Sequence, residues 1–262
     1  MTAPATHTPD AFSFPVIGVM HSCFMAKFGV PRQPGLIPEA TGYIELQPPY
    51  NQPNTVRGIE QFSHLWLCFV FHHNLRDGWK ATVRPPRLGG DTRLGVFATR
   101  SPFRPSPIGL SVVRLQRLEL KDHGIIRIHV QGQDLVDGTP IIDIKPYIPY
   151  TDAIPDANAG FAADSPAPDA LPVSLSPHAE QLFQTLERHG LTTLRTLALK
   201  VIAADPRPAY QKDPQRTYGV FLNGFEIVWK MDGDGNHAII TDVRKATTPH
   251  PASPQPHSPH CP

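Results

Sequence analysis

Two apolar segments carry the strongest structural signal in the chain: HLWLCFVF (residues 64–71) and IGLSVVRLQRLEL (residues 108–120). The first is nearly continuous in apolar residues, which is typical of a strand covered on both faces. The second partly alternates between apolar and polar residues, which indicates a strand with one face in water. Together they predict that this half of the chain is built from β-sheet.

Similar β-branched and aromatic runs lie on either side of these two segments, separated by Gly and Pro. The predicted strands are Pro15–Ser22, Gly42–Gln47, Ser63–Phe71, Arg93–Thr99, Ile108–Leu120, Gly124–Gln131 and Pro140–Lys145. Many strands with few helices imply a barrel or a sandwich. We predict a mainly β N-terminal domain over residues 14–155, either a barrel or a sandwich.

The C-terminal part has a different pattern. Ser176 is a predicted N-cap with Pro177 at the first helical position, and this helix is predicted to end at Gly190. A second amphipathic run covers residues 191–204, and the apolar runs on either side of MDGDGN (231–236) resemble a hairpin. We therefore predict a smaller α+β domain over residues 176–245. The proline-rich segments 156–175 and 246–262 are predicted to be a linker and a disordered tail.

Composition restricts the possible partners and location. The formal net charge is +1, with 24 Lys and Arg against 23 Asp and Glu, so any contact with RNA requires a local basic patch. The N-terminus lacks the features of a signal peptide and no apolar run is long enough to span a bilayer, so we expect a cytoplasmic protein. Cys23, Cys68 and Cys261 form no C-x-x-C pair, and we expect no metal site.

Several common catalytic motifs are absent from the sequence. The glycine cluster RLGGDTRLG (residues 87–95) follows Arg84-Pro85-Pro86 instead of a strand, so it lacks the context of a dinucleotide-binding turn. There is no Walker A motif, no H-E-x-x-H and no G-x-S-x-G. The predicted β domain is thus not a Rossmann fold, and charged and histidine residues at its strand ends are the candidate site.

Four long segments of this β domain resemble the TsaA-like family, also called TrmO, and the resemblance implies that residues 14–155 form a β-barrel. The segments are KFGVPRQPG (27–35), GIEQFSHLWLCFVFHHN (58–74), RPPRLGGDTRLGVFATRSPFRPSPIG (84–109) and DLVDGTPIIDIKPY (134–147). DPRPAY (205–210) and the hairpin that follows are similar to the C-terminal domain of bacterial members. The visible departures are His73, where Gln is common in the family, and the proline-rich tail.

The resemblance implies a function. It implies a methyltransferase that uses S-adenosyl-L-methionine to methylate the exocyclic nitrogen of threonylcarbamoyl-adenosine, beside the anticodon of threonine-type tRNAs. It also implies a homodimer with the cofactor near the subunit boundary. By the same resemblance, the cofactor-binding residues are Arg32, Gln33, Pro34, His72, His73, Arg100, Leu110, Asp134, Leu135, Val136 and Asp137.

The residue types alone leave alternatives open for these positions. The run Asp134–Asp137 offers amides and carboxylates to a nucleoside, but it also fits a solvated turn. His72 and His73 could bind cofactor or order a loop, and Leu110 could be ordinary core. The candidates for a catalytic or substrate-positioning role are Tyr50, Asn51, Arg100 and Arg104. Guanidinium groups suit a carboxylate or phosphate, and a tyrosine can stack on a flipped base.

The C-terminal domain carries cations that suit tRNA phosphates, or that simply form a soluble helix face. They are Arg188, Arg195, Lys200, Arg207, Lys212 and Arg216, with Tyr210 nearby. We expect the barrel alone to bind cofactor and this domain, held by a flexible linker, to add affinity for tRNA. Two rival functions remain, a non-catalytic RNA-binding barrel and a nucleotide-binding regulator, and cofactor and tRNA binding separate them.

Overall fold

The N-terminal domain is a closed barrel of six antiparallel strands. The computed structural model describes residues 11–165, 170–207, 213 and 215–246. The barrel strands are β1 (Gly18–Ser22), β2 (Thr41–Leu46), β3 (His64–Val70), β6 (Ile108–Lys121), β7 (Ile125–Gln131) and β8 (Pro140–Pro146), joined in the order β1-β2-β7-β6-β3-β8. The mainly β fold with an N-terminal barrel is confirmed. The tail predicted over 246–262 lies outside the described residues, except for Ala246.

Strand β3 shows how the sequence pattern forms the barrel wall. Leu65, Leu67 and Phe69 are buried and point into the core, and the residues between them are half-buried on the outer face. Trp66 is one of these outer residues, and its Nε1 donates a hydrogen bond to Asp152 Oδ2 at 3.0 Å. The inner face of this strand is thus fully buried, and its outer face is partly covered. Large side chains such as tryptophan make the outer face look apolar in the sequence.

A long connection between β3 and β6 (residues 71–107, the β3–β6 connection) leaves the barrel and returns to it. It contains two short paired strands, β4 (Thr82–Val83) and β5 (Leu94–Gly95). The strand predicted for Arg93–Thr99 is limited to β5, because the chain turns into a 3-10 helix at Val96–Ala98. Phe71 N donates to Pro107 O at 2.9 Å, which closes the two ends of the connection against each other.

The C-terminal part is an α+β unit, as predicted. Its elements are β9 (Val173–Leu175), α2 (Pro177–Arg188), α3 (Leu194–Ala203), β10 (Thr217–Leu222), β11 (Phe225–Met231) and β12 (Ala238–Lys245), and a short helix α1 (Pro149–Asp152) precedes them. The sheet order is β10-β11-β12-β9, with β9 parallel to β12. Ser176 caps α2, since its Oγ accepts a hydrogen bond from Ala179 N at 3.1 Å.

Two local predictions in this part needed correction. The apolar run before MDGDGN, predicted to be one arm of a hairpin, is two strands, because Asn223 and Gly224 both have positive φ (49° and 80°) and form a two-residue turn between β10 and β11. The end of the segment predicted as a linker is β9, which pairs with β12 in the sheet. Both differences enlarge the C-terminal sheet to four strands.

The connection between β1 and β2 (residues 23–40, the β1–β2 connection) joins the two domains. Cys23, Phe24, Ile37 and Ala40 are buried in the same core cluster as α2, α3 and the C-terminal sheet. Met25 N donates to Phe221 O at 3.1 Å, and Asn223 N donates to Cys23 O at 2.9 Å. The C-terminal domain is thus packed on the barrel, and the expectation that only a flexible linker holds it was wrong.

Candidate functional site

A cavity of about 640 Å³ opens at the end of the barrel where β3 ends and β6 begins. This volume is within the usual range of small-molecule sites. Its walls come from the β1–β2 connection, from both ends of the β3–β6 connection, and from the loop between β7 and β8. The predicted residues that line it are Arg32, Gln33, His72, His73, Arg100, Arg104, Leu110, Asp134, Leu135 and Val136.

The loop between β7 and β8 is held by buried polar side chains. Gln133 is fully buried, and its Oε1 accepts a hydrogen bond from Leu135 N at 2.8 Å, whereas its Nε2 donates to Ser22 Oγ at 2.8 Å. Thr139 Oγ1 donates to Val136 O at 2.6 Å. These bonds fix the backbone of the loop from within the core, so its polar groups face the cavity in a preformed arrangement.

Asp134 is the carboxylate of the cavity. Its Oδ1 accepts a hydrogen bond of 2.5 Å from Ser111 Oγ on β6. Burial raises the pKa of this carboxyl to about 6, and the bond from Ser111 and the positive charge of Arg100 oppose that rise. At neutral pH, Asp134 is therefore mostly ionised in a poorly solvated place, where a hydroxyl or ammonium group of a ligand would bind strongly.

Two arginines lie on the other side of the cavity. Arg100 Nη1 donates to Gln33 Oε1 at 2.6 Å and so joins the β3–β6 connection to the β1–β2 connection. Arg104 Nη1 donates to Thr99 O at 3.1 Å. Each bond occupies one of the five N–H donors of a guanidinium group, so both side chains keep donors for an anionic group in the cavity.

The first residues of β6 form an apolar wall. Leu110 is 55% exposed although it lies in a barrel strand, which leaves its side chain available to a flat apolar ligand group. At Gly109, a Cβ atom would lie 2.3 Å from Cζ of Phe69. The ring of Phe69 thus covers the backbone at this position, and it meets Phe71 edge-to-face at 5.1 Å between ring centroids.

His72 and His73 stand side by side where β3 ends, with ring centroids 4.0 Å apart. Lys27 Nζ donates to His73 O at 3.0 Å. Burial lowers the pKa of both imidazoles, and the positive charge of Lys27 lowers it further. Both rings are therefore neutral at pH 7 and can each accept a proton.

Four predicted residues do not line the cavity. Asn51 Nδ2 donates to Gly124 O at 2.7 Å, beyond the opposite end of β6, and Tyr50 lies beside it in the chain. Pro34 lies outside the cavity wall, and Asp137 faces away from it, since its Oδ1 accepts a hydrogen bond from Ser22 N at 2.9 Å. Tyr50, Asn51, Pro34 and Asp137 thus lie away from this cavity, and the side chain of Asp137 supports the loop between β7 and β8.

Family models match both halves of the chain. The model of the tRNA-methyltransferase O N-terminal domain matches residues 19–153, and that of the TrmO C-terminal domain matches residues 168–246. The chain belongs to the tRNA-methyltransferase O family. A tRNA (adenine(37)-N6)-methyltransferase of Escherichia coli is 47% identical over 90% of this chain and 100% of its own length.

Two further comparisons agree with membership of the TrmO family. A protein of Pseudomonas aeruginosa named putative S-adenosylmethionine-dependent methyltransferase RcsF is 48% identical, over 81% of this chain and 90% of its own. A crystal structure of TrmO from Pseudomonas aeruginosa superimposes with a TM-score of 0.72 at 39% identity, and the match covers 89% of this chain and 98% of that one. The barrel fold and its two-part layout are thus those of the TrmO family.

In this TrmO-family chain, sequence reasoning missed several residues of the cavity. Ser111 is buried in the inward phase of β6, between Gly109 and Val113, and a polar residue at an inward position was the signal that could have revealed it. Lys27 had no such signal, because its contact with His73 joins positions 46 residues apart.

Two further kinds of feature are absent from the described residues. None of the helices there combines the length and apolar character of a membrane span. No cluster of three or more His, Cys, Asp or Glu suited to a metal ion occurs there either.

Proposed function

We propose that this chain transfers a methyl group from S-adenosyl-L-methionine to the exocyclic nitrogen of adenine 37 in tRNA. The name of the E. coli relative and the membership of the TrmO family support this activity. The observation that carries it is the cavity, which combines the carboxylate of Asp134, the guanidinium of Arg100 and the exposed side chain of Leu110. We further propose that the substrate is threonylcarbamoyl-adenosine in threonine-type tRNAs.

The residues of the cavity fit S-adenosyl-L-methionine, which carries a purine, ribose hydroxyls, an ammonium and a carboxylate. Leu110 offers an apolar surface to the purine, Asp134 offers a carboxylate to hydroxyl or ammonium groups, and Arg100 offers a fork of donors to the carboxylate. We propose as cofactor-binding residues the predicted ones that line the cavity: Arg32, Gln33, His72, His73, Arg100, Leu110, Asp134, Leu135 and Val136.

Methyl transfer is a direct displacement, so the protein chiefly holds donor and acceptor in line and excludes water. When bound, the cofactor supplies an electrophilic methyl group on its sulfonium. The acceptor nitrogen must lose a proton, and the cavity has two kinds of proton acceptor, the neutral imidazoles of His72 and His73 and the carboxylate of Asp134. Arg100 and Arg104 are placed to position anionic groups of the substrate, such as the threonyl carboxylate or a phosphate.

We also propose the organisation of the enzyme. Residues 14–155 form the cofactor-binding barrel, and residues 176–245 form a domain that contacts tRNA. The enzyme acts in the cytoplasm as a homodimer, with the cofactor near the subunit boundary. Light scattering of the purified protein at several concentrations tests the dimer.

Mass spectrometry of digested tRNA tests the activity. We expect tRNA from a strain that lacks this protein to contain threonylcarbamoyl-adenosine without its methyl group, and the wild-type gene to restore that group. The rival function, a non-catalytic RNA-binding barrel, predicts an unchanged nucleoside profile and no heat of binding for S-adenosyl-L-methionine in isothermal titration. A chain that binds cofactor but leaves tRNA unmethylated would instead favour a nucleotide-binding regulator.

A further inference from the structure

Positive charge is concentrated in the β3–β6 connection. The whole chain has a net charge of +1, but this connection contains seven cations and only two carboxylates, Asp77 and Asp91. The cations are Arg76, Lys80, Arg84, Arg87, Arg93, Arg100 and Arg104. Like charges in one segment repel each other, so the fold itself gains nothing from this concentration.

These cations have few partners within the molecule. None of them forms a salt bridge with any residue that the structure describes. Arg93 reaches only the hydroxyl of Thr82 at 3.3 Å. The side chains of Arg76, Arg84 and Arg87 are exposed and make no hydrogen bond within the described part of the chain. Their charge is therefore available to an external anion.

Two large aromatic side chains are exposed on the same connection. Trp79 is 60% exposed and Phe97 is 78% exposed, although an aromatic ring normally contributes to a core. Phe97 follows β5, and Trp79 lies just before β4, so the two rings belong to the same short hairpin. Exposed rings among free cations suit a ligand with both negative charge and flat apolar groups, such as unpaired RNA.

Several cations of the C-terminal domain, unlike Arg76, Arg84 and Arg87 of the β3–β6 connection, are bonded to side chains or backbone of their own domain. Arg195 makes two hydrogen bonds to Glu180, at 2.9 and 2.7 Å, and Arg207 makes two to Asp205, at 2.7 and 2.8 Å. Arg188 is bonded to its own helix through Gln184 O and Thr185 Oγ1. Tyr210 and Lys212 lie outside the described residues. The described arginines with these partners are already engaged, so they are less available to phosphate than those of the β3–β6 connection.

We propose that the β3–β6 connection is the main tRNA-binding surface, with Arg76, Arg84 and Arg87 on phosphates and Trp79 and Phe97 on unpaired bases. The proposal rests on the proposed function, in which tRNA is the substrate. Both ends of the connection lie in the cavity wall, at His72 and at Arg100, so RNA held along it is next to the reaction site. An anticodon loop offers both phosphates and unpaired bases at close range.

A charge-removal experiment tests the cationic part of the surface. The full-length triple variant R76Q/R84Q/R87Q is compared with R188Q/R216Q/K230Q, a control that removes three positive charges from the C-terminal domain. Binding of threonine-type tRNA is measured over a series of salt concentrations. We expect the first variant to raise Kd about ten- to a hundred-fold at 0.1 M salt and to reduce the slope of log Kd against log salt by about 2 to 3. The control should change both by much less, because in this proposal the C-terminal domain is only a secondary contact for tRNA.

An aromatic variant tests the stacking part of the surface independently. Stacking involves no ions, so Trp79→Ala should raise Kd about ten-fold with the salt slope unchanged. In each variant the melting temperature and the affinity for S-adenosyl-L-methionine should match those of the wild type, because none of these side chains lines the cavity. At saturating tRNA, kcat should be retained and KM raised.

The outcomes separate this proposal from the proposed function. If the wild type methylates tRNA and R76Q/R84Q/R87Q keeps the wild-type Kd and salt slope, the surface is wrong and the activity stands. If the C-terminal control loses affinity as much as that variant, the assignment to this connection is also wrong. If the wild type binds tRNA without methylating it, the activity fails and the variants still test the surface. Binding to anionic phospholipid vesicles that the triple variant abolishes, with tRNA binding intact, would overturn the RNA assignment.

Discussion

Asp134 is ionised at neutral pH in a place that disfavours its charge. Its pKa in the folded protein, about 6, is above its ordinary value of 3.8. The folded state therefore binds the proton more tightly than the unfolded state. The stabilisation of the folded state by protonated Asp134 is fully present below pH 3.8 and is lost as the pH rises through about 6. Because the ionised carboxylate lowers the stability of the folded protein at neutral pH, we expect it to serve ligand binding.

We predict that Asp134→Asn makes the protein more stable and weakens its binding of S-adenosyl-L-methionine. The free energy of unfolding at pH 7 should rise by about 1–3 kcal/mol, because the amide removes the buried charge and can still accept the hydrogen bond from Ser111. The gain should shrink as the pH falls below 6. Denaturant unfolding between pH 5 and 8 measures stability, and isothermal titration measures affinity.

Asp122→Asn is the matched control for this prediction. Asp122 is exposed in the turn between β6 and β7, at the other end of the barrel, so neither stability nor affinity should change by much. A destabilised Asp134→Asn variant with normal cofactor affinity would show that this carboxylate supports the fold instead of the ligand.

The role of Arg100 in catalysis can be tested by single substitutions. Its bond to Gln33 leaves other guanidinium donors facing the cavity. We predict that Arg100→Ala lowers the single-turnover rate about thirty- to a thousand-fold, which corresponds to roughly 2–4 kcal/mol of transition-state stabilisation. Arg100→Lys keeps the charge but loses the planar fork, so a bidentate role predicts a large loss there too.

Arg57→Ala is the control for Arg100, because Arg57 bonds Asn54 at 2.7 Å outside the cavity. Melting temperatures of all three variants exclude misfolding. A normal Arg100→Lys enzyme beside an inactive Arg100→Ala enzyme would leave only the charge in the mechanism, and equal rates for all would remove Arg100 from the site.

At the scale of elements, β6 joins the barrel core to the cavity. The first inward-facing residue of β6 is Gly109, and the ring of Phe69 on β3 leaves no room for a side chain at this position. We predict that Gly109→Ala displaces this ring, destabilises the protein by about 1–3 kcal/mol and weakens cofactor binding. Gly95→Ala is the control, since no atom lies within 4 Å of its added Cβ and its φ is −57°. Equal melting temperatures for the two variants would contradict the packing argument.

The strands of the barrel could be predicted from sequence because alternation and apolar runs are local signals. The same local reasoning missed β9, a three-residue strand that exists only because β12 lies beside it. It also missed the Asn223-Gly224 turn, although Asn-Gly is a known hairpin signal, because the apolar runs on both sides look like a single strand. Short pairings and strand breaks depend on neighbours that are distant in sequence.

At the scale of the whole molecule, the candidate site was predictable in part. Ten of the predicted residues line one cavity, because nine of them lie in segments that carry the resemblance to the TrmO family and Leu110 directly follows one of these segments. Tyr50 and Asn51 looked equally suitable as loop residues, but which end of the barrel a loop occupies depends on strand order and register. The packing of the β1–β2 connection into the C-terminal core was likewise invisible in the sequence.

That packing changes what the barrel can do alone. Lys27, Arg32 and Gln33 line the cavity from a segment whose Phe24 is buried among residues of the C-terminal domain. We predict that a fragment of residues 1–165 loses at least about ten-fold in affinity for S-adenosyl-L-methionine, because this wall loses its support. In the full chain, Phe24→Ala should cost about 3–5 kcal/mol of stability and weaken cofactor binding as well.

Leu120→Ala is the control for Phe24→Ala, since Leu120 is 56% exposed near the far end of β6 and its truncation should alter neither property. Isothermal titration on the fragment, on both variants and on the wild type measures affinity, and circular dichroism shows whether the fragment keeps its barrel. If the C-terminal core supports the cavity through the β1–β2 connection, the affinity for S-adenosyl-L-methionine must fall whenever that core is lost. A folded fragment with wild-type affinity would show that the β1–β2 connection holds its place without the second domain, and the cavity would then belong to the barrel alone.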